Sequence, residues 1–172
     1  TGSGAIALAL ASENPQWRLV GVDQSADAVN LATLNAHKCH LTQVTFCQGD
    51  WAQDLVKDAN KPLHCIVSNP PYIDAEDPHL SQGDVRYEPL SALVAERHGM
   101  ADIDTIAQQA VCLLPVGGWL VFEHGYDQGS KVAELLTGLG FNQVATRKDY
   151  NDQDRVTFGQ WAGKDPGQDK RP

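Results

Sequence analysis

A chain of 172 residues, 42% of them hydrophobic, is the size of one domain with a real core. Its 22 acidic and 13 basic residues leave a net charge of −9, which tilts against a nucleic-acid binder held by a broad basic face. No apolar run reaches 18 residues and no signal peptide is present, so the chain reads as cytoplasmic, without a membrane partner.

The sequence opens on the glycine-rich turn Thr1-Gly2-Ser3-Gly4. Residues 5–11, AIALALA, are apolar on nearly every side and predict a short buried helix. It should stop near Asn14-Pro15, because a proline drives its predecessor out of helical geometry. RLVGVD, residues 18–23, predicts a strand that ends in a carboxylate. In SADAVNLATLNAHK, Ala28, Val29, Ala32 and Ala36 share one helical stripe and Ser25 is placed to cap it. QVTFCQGD (43–50) is a second strand, again ending in Asp, and LHCIVS (63–68) a third.

Residues 74–100 are polar, contain Pro78 and Pro89 and lack a clean period. They read as a long excursion with short helical pieces, a wall over the crevice that sets substrate choice. Ile103, Ile106, Ala107, Ala110 and Leu114 then form a helical stripe that Pro115 closes. GGWLVFEHG is a strand, residues 129–139 a helix, and FNQVATRKDY and RVTFGQWA two strands joined by the turn 151–154 as an antiparallel hairpin. This alternation predicts an open, mostly parallel α/β sheet with helices on both faces and an antiparallel edge. Residues 1–162 make one catalytic domain, and 163–172 a flexible tail.

Cys39, Cys47, Cys65 and Cys112 include no CxxC pair, and Cys47 and Cys65 fall in apolar runs that predict buried thiols in a reduced domain. The cluster His37-Lys38-Cys39-His40 crowds one helix end without a second ligand group, so it reads as a polar helix end and no metal is expected.

Open parallel sheets bind ligands outside the carboxyl ends of their strands. At the first such position, Gly2 and Gly4 let a ligand approach the backbone beside a helix N-terminus. Asp23 lies 19 residues beyond Gly4, close to the ~20-residue interval at which an acidic residue takes the ribose hydroxyls of a nucleoside. Asp50-Trp51 offers an acceptor and an aromatic plane suited to a purine. Each feature has a plain structural reading, as a turn, a helix cap or a core anchor, but three successive strand ends together describe an adenosine-shaped slot. No Lys follows the turn as in a phosphate-binding loop, which favours S-adenosylmethionine over a dinucleotide.

Asn69-Pro70-Pro71-Tyr72 stands at the next strand end. Each proline holds its predecessor extended, so the Asn69 Oδ1 and the Pro70 carbonyl become two fixed acceptors for a planar NH2 group, with Tyr72 over its flat face. Held slightly out of conjugation, such a nitrogen exposes its lone pair to an incoming methyl.

With these residues in view, the chain resembles the bacterial release-factor glutamine N5-methyltransferases, a class I S-adenosylmethionine-dependent family. The likeness runs from Thr1 to about Trp161 on TGSGAIALAL, VSNPPYI, QGDVRYEPLSALV and LLPVGGWLVFEHG. NPPY is shared with DNA adenine and rRNA guanine methyltransferases, and the run 84–89, DVRYEP, narrows the choice to the protein-glutamine branch. The resemblance implies a seven-stranded Rossmann-like sheet and methyl transfer to the glutamine of the Gly-Gly-Gln motif in peptide-chain release factors, with no sequence-specific nucleic-acid partner. It implies that Thr1, Gly2, Ser3 and Gly4 wrap the methionine part of the cofactor, Asp23 the ribose, and Asp50 and Trp51 the adenine. Asn69 would touch both cofactor and substrate, with Pro70, Pro71 and Tyr72 on the substrate glutamine, and Asn69, Pro70 and Tyr72 catalytic. The family also carries an N-terminal helical domain and a first strand before the glycine turn, so the natural protein is expected to continue upstream. An N-methyltransferase for DNA or rRNA amines and a non-catalytic scaffold of the same fold are the alternatives.

Overall fold

The computed structural model describes residues 1–53, 55, 63–72 and 99–163, and they fall into two units, Thr1–Asp58 and Ala59–Pro172. The excursion at 74–98, with its run 84–89, and the tail from 164 lie outside the described residues.

In the first unit, α1 (Ala5–Glu13), β1 (Leu19–Asp23), α2 (Ala26–Lys38) and β2 (Val44–Gln48) follow one another. Asn14 ends α1 outside helical geometry, at φ −130° and ψ 76°, consistent with the following Pro15. Ser25 caps α2 as expected, its hydroxyl accepting from the Ala28 N–H at 3.3 Å. β1 and β2 pair in parallel from Leu19↔Val44 to Asp23↔Gln48, with α2 as the crossover. Ala32 and Ala36 are buried in α2, while Ala28 and Val29 are half-buried.

Two expectations fail in this unit. The first helix is not buried all round: only Ala11 is, and Ile6 remains 41% exposed, because α1 packs on the strands along one side only. Nor is Cys47 buried; its thiol lies exposed on β2, where Val44 is the strand's buried position.

In the second unit the order is β3 (Cys65–Ser68), α3 (Ala101–Leu113), β4 (Trp119–Glu123), α4 (Gly129–Leu139), β5 (Phe141–Lys148) and β6 (Asp154–Trp161). The sheet runs β3-β4-β6-β5, so the returning strand of the hairpin, β6, inserts beside β4. β3 pairs with β4 in parallel, and β6 runs antiparallel to both β4 and β5. Pairing is therefore mixed: of the four described pairings two are parallel, where a mostly parallel sheet was expected.

The α3 stripe behaves as its spacing predicts, with Ile103, Ile106, Ala107, Ala110 and Leu114 all buried. Strand β4 alternates, with Leu120 and Phe122 buried, while Val132 and Leu136 are buried in α4, which packs on β5 and β6. Phe141 and Trp161 pair across β5 and β6, ring centroids 5.1 Å apart. Cys65 shares an exposed side of β3 with Val67, correcting the second buried thiol; apolar composition in a four-residue strand does not say which face is covered.

The β5–β6 turn is held by one carboxylate. Asp149 Oδ1 accepts from the N–H groups of Asn151 and Gln153, and Oδ2 pairs with Arg155 Nε at 3.2 Å. The Gln153 N–H, aided by the Asn151 N–H and the Arg155 guanidinium, holds this carboxyl below the usual aspartate range. A carboxylate depressed in the folded state contributes stability above its unfolded value, and that contribution is lost as pH falls through the folded value. The stability difference between wild type and Asp149→Asn is therefore expected to be full at neutral pH and to vanish in strong acid. Urea midpoints across pH check this, and a difference that grows on acidification would refute it.

Candidate active site

The first unit gathers the glycine turn and Asp23. Gly4 N–H donates to the Thr1 carbonyl at 3.0 Å to close the turn, with Gly2 at φ 54° and Gly4 at φ 83°, both left-handed. The two glycines do different work. A Cβ on Gly4 would lie 2.9 Å from the Phe46 ring and 3.1 Å from Ala32, so Gly4 is needed for packing as well as for its dihedral. A Cβ on Gly2 would meet nothing within 4 Å: that side of the turn is open space. Left-handed strain costs about 1–2 kcal/mol per non-glycine residue, and overpacking about 1–3 kcal/mol more. Gly2→Ala is expected to show only the first cost and Gly4→Ala both, read as urea unfolding free energies. Equal losses would remove the packing role from Gly4.

Asp23, at the end of β1, is bound to that turn. Its Oδ2 accepts from the Gly2 N–H at 2.8 Å and from the Thr1 nitrogen at 2.9 Å, and its Oδ1 from the Ser25 N–H at 2.9 Å. Burial raises the Asp23 carboxyl, but hydrogen bonds from the turn, the Ser25 and Gly2 N–H groups first among them, outweigh it and leave the group below its ordinary value. Asn35 of α2 donates to the Ser3 carbonyl at 3.0 Å, fixing the turn from its other side. The Gly49 N–H donates to the Asp23 carbonyl, so the end of β2 stays against the end of β1. Asp50 follows there, exposed, and Trp51 is half-buried at φ 50°. A bulky side chain held in the left-handed region is a strained position of the kind found at binding sites.

The second unit holds the Asn-Pro-Pro-Tyr loop at the end of β3. Asn69 is exposed, and its side-chain amide makes no hydrogen bond among the described residues. Pro70 is fully buried, and Pro71 and Tyr72 are half-buried. The Tyr72 carbonyl accepts from Gln128 Nε2 at 3.0 Å. Gln128 and Gly99, which packs against both, escaped the sequence reading. The sole local signal was a glutamine at the start of a helix two residues past EHGY, and nothing there names a partner 56 positions away.

His37, Lys38, Cys39 and His40 stand at the C-terminal end of α2, where Cys39 is the cap. Among the described residues no three His, Cys, Asp or Glu side chains gather as metal ligands, and no helix is long and apolar enough to cross a membrane.

A family model described as a methyltransferase domain matches residues 1–156. The chain belongs to this methyltransferase domain family. Its relatives include the release factor glutamine methyltransferases of Yersinia pestis, 54% identical over 162 residues, and of Vibrio cholerae, 51% identical over 161. Each alignment covers 94% of this chain but only 57% and 56% of the relative, so the chain spans a little over half the length of the curated relatives it matches. The resemblance read from the motifs therefore holds over nearly the whole chain. Among solved structures, the ribosomal protein L11 methylase of Lactobacillus delbrueckii subsp. bulgaricus superposes with a TM-score of 0.64 at 16% identity, over 92% of this chain and 65% of that one. Likeness at that identity speaks to fold alone, and it supports a methyltransferase-like α/β domain with mixed strand pairing.

Proposed function

We propose that this methyltransferase domain transfers a methyl group from S-adenosylmethionine to the side-chain amide nitrogen of the glutamine in the Gly-Gly-Gln motif of peptide-chain release factors. The observation that carries the reading is the Asn-Pro-Pro-Tyr loop, with a buried proline behind an exposed asparagine whose side-chain amide makes no hydrogen bond among the described residues. Relatives at about half identity named as release factor glutamine methyltransferases support the choice of substrate.

The cofactor half fits the same reading. The open side of Gly2 gives room for the methionine part beside Thr1, Ser3 and Gly4, and Asp23 stands where a ribose would lie. Asp50 and Trp51 at the end of β2 suit an adenine. When bound, the cofactor supplies an electrophilic methyl carbon on a sulfonium.

What the chain itself supplies is orientation. An amide nitrogen is a poor nucleophile because its lone pair is delocalised into the carbonyl. Asn69 Oδ1 and the Pro70 carbonyl accept its two N–H bonds, and Tyr72 covers the flat face, so the lone pair is aimed rather than averaged. The nitrogen proton becomes acidic only after methylation and leaves to solvent, so no residue need act as a base beforehand. A seven-stranded, mostly parallel order, a catalytic domain over 1–162 and a cytoplasmic setting belong to the same reading.

The test is mass spectrometry of three substrates incubated with the intact protein and S-adenosylmethionine: a release-factor Gly-Gly-Gln peptide, a DNA duplex and an rRNA oligonucleotide. One added methyl on the peptide glutamine alone is the expected result. Transfer to an oligonucleotide instead would overturn the substrate, and no cofactor binding would overturn the enzyme.

A further inference from the structure

We infer that Gln128 is a positioning residue for the Asn-Pro-Pro-Tyr loop: its side-chain amide ties the Tyr72 carbonyl to the turn after β4 and so fixes where Asn69 presents its amide. Gln128 is only 4% exposed. Both ends of its amide are used, Nε2 donating to the Tyr72 carbonyl at 3.0 Å and Oε1 accepting from the Gly125 N–H at 2.8 Å. Its own N–H donates to the Gly125 carbonyl, so main chain and side chain close the same turn.

That turn is a firm base. His124, fully buried, shares Nε2 with the Thr157 hydroxyl of β6 at 2.7 Å, and Thr157 meets Thr146 of β5 at 2.8 Å. Arg155 donates to the His124 carbonyl at 3.0 Å. A satisfied buried network of this kind resists displacement. Gly99 leaves the clamp its room: a Cβ there would fall on the Tyr72 carbonyl oxygen and on Gln128 Nε2.

The loop so held is short. Ser68 is fixed in register with Phe122 of β4, and only Asn69, Pro70 and Pro71 separate it from Tyr72. Two of those three have φ locked by their rings. With both ends held, the backbone at Asn69 has little room to turn; without the Gln128 bond, one hold on the Tyr72 end is gone and that room grows. A misplacement of about 1 Å at a reacting centre can cost about a hundredfold in rate.

The kinetic arm of the test rests on the proposed methyl transfer, and a second arm does not. Gln128→Glu keeps an acceptor for Gly125 and loses the donor to Tyr72, Gln128→Met loses both, and Gly99→Ala crowds the clamp while leaving the glutamine itself in place. In the intact protein, below its melting temperature, each is expected to lower kcat on a Gly-Gly-Gln peptide by about tenfold or more, with peptide KM and S-adenosylhomocysteine Kd within about threefold. The carbonyl-13C resonance of Tyr72 should shift in all three. A variant that melts earlier but keeps kcat within about twofold would mark Gln128 as merely structural and overturn the inference. So would an unmoved Tyr72 resonance in Gln128→Met. If the wild type methylates no peptide, the substrate reading falls by itself and the Tyr72 resonance still decides the clamp.

Discussion

Asn69→Ala is expected to cut methyl transfer to a Gly-Gly-Gln peptide by about two to three decades, or roughly 3–4 kcal/mol, the usual cost of losing one preorganised polar partner at a centre of developing charge. S-adenosylhomocysteine affinity should change far less. The expectation follows from the placement of Asn69: exposed at the end of β3, with its amide unused among the described residues. A side chain with no structural bond to lose can be truncated at small cost in stability. Loss of rate is then a statement about chemistry, not about unfolding. Single-turnover kinetics with saturating cofactor measure it. A fall of less than about tenfold would mean that orientation by Asn69 is not the mechanism.

The placement of Asn69 was legible in the sequence because it depends on local rules. A strand followed by Pro-Pro must end there, whatever the strand pairs with. Likewise the α3 stripe from Ile103 to Leu114 and the Ser25 cap rest on spacing within one helix, and both stand in the structure. What pairs with what is another matter. That β6 rather than β5 lies against β4 depends on contacts distant in sequence, which no periodicity encodes. The bulge in β5 between Asn142 and Ala145 is similar, because Gln143 takes φ 50° without the glycine that would have announced it. Cys47 and Cys65 misled for a related reason: apolar composition marks a strand, while the cover over each face is supplied by other elements.

The candidate site divides along the same line. Asp23, Asp50 and Asn69 after strand ends, and Gly2 and Gly4 in the turn before α1, could be named from order alone. The groups behind them, Gln128 under Tyr72 and Asn35 on Ser3, could not, since each acts across the fold on a backbone carbonyl. A carbonyl carries no side-chain signature, so its partner leaves no trace in the sequence near it.

For Asp23→Ala the expected result is a loss of S-adenosylhomocysteine affinity of about ten- to a hundredfold, since hydrogen bonds to a charged group are worth about 1.5–3 kcal/mol each. Its bonds to the Gly2 and Ser25 N–H groups bear on the simple picture of one carboxylate accepting from two ribose hydroxyls. A carboxylate offers about four acceptor positions, and here the Gly2 and Ser25 N–H groups take two of them. On the proposed reading Asp23 acts twice, on the ribose and on the shape of the turn beside it. Asp23→Asn separates the roles: it retains one acceptor oxygen for the turn but loses the charge, and should fall between wild type and Asp23→Ala. Because the Asp23 carboxyl is held below its ordinary value, wild-type affinity should stay flat from neutral to mildly acidic pH and weaken only as that group protonates. Calorimetric titration of the three proteins across that range, with circular dichroism to confirm folding, makes the measurement. Unchanged affinity in Asp23→Ala would remove the ribose assignment. A loss in Asp23→Ala that Asp23→Asn fully restores would leave Asp23 as a brace for the glycine turn, since it would show that neither the charge nor the second oxygen is needed.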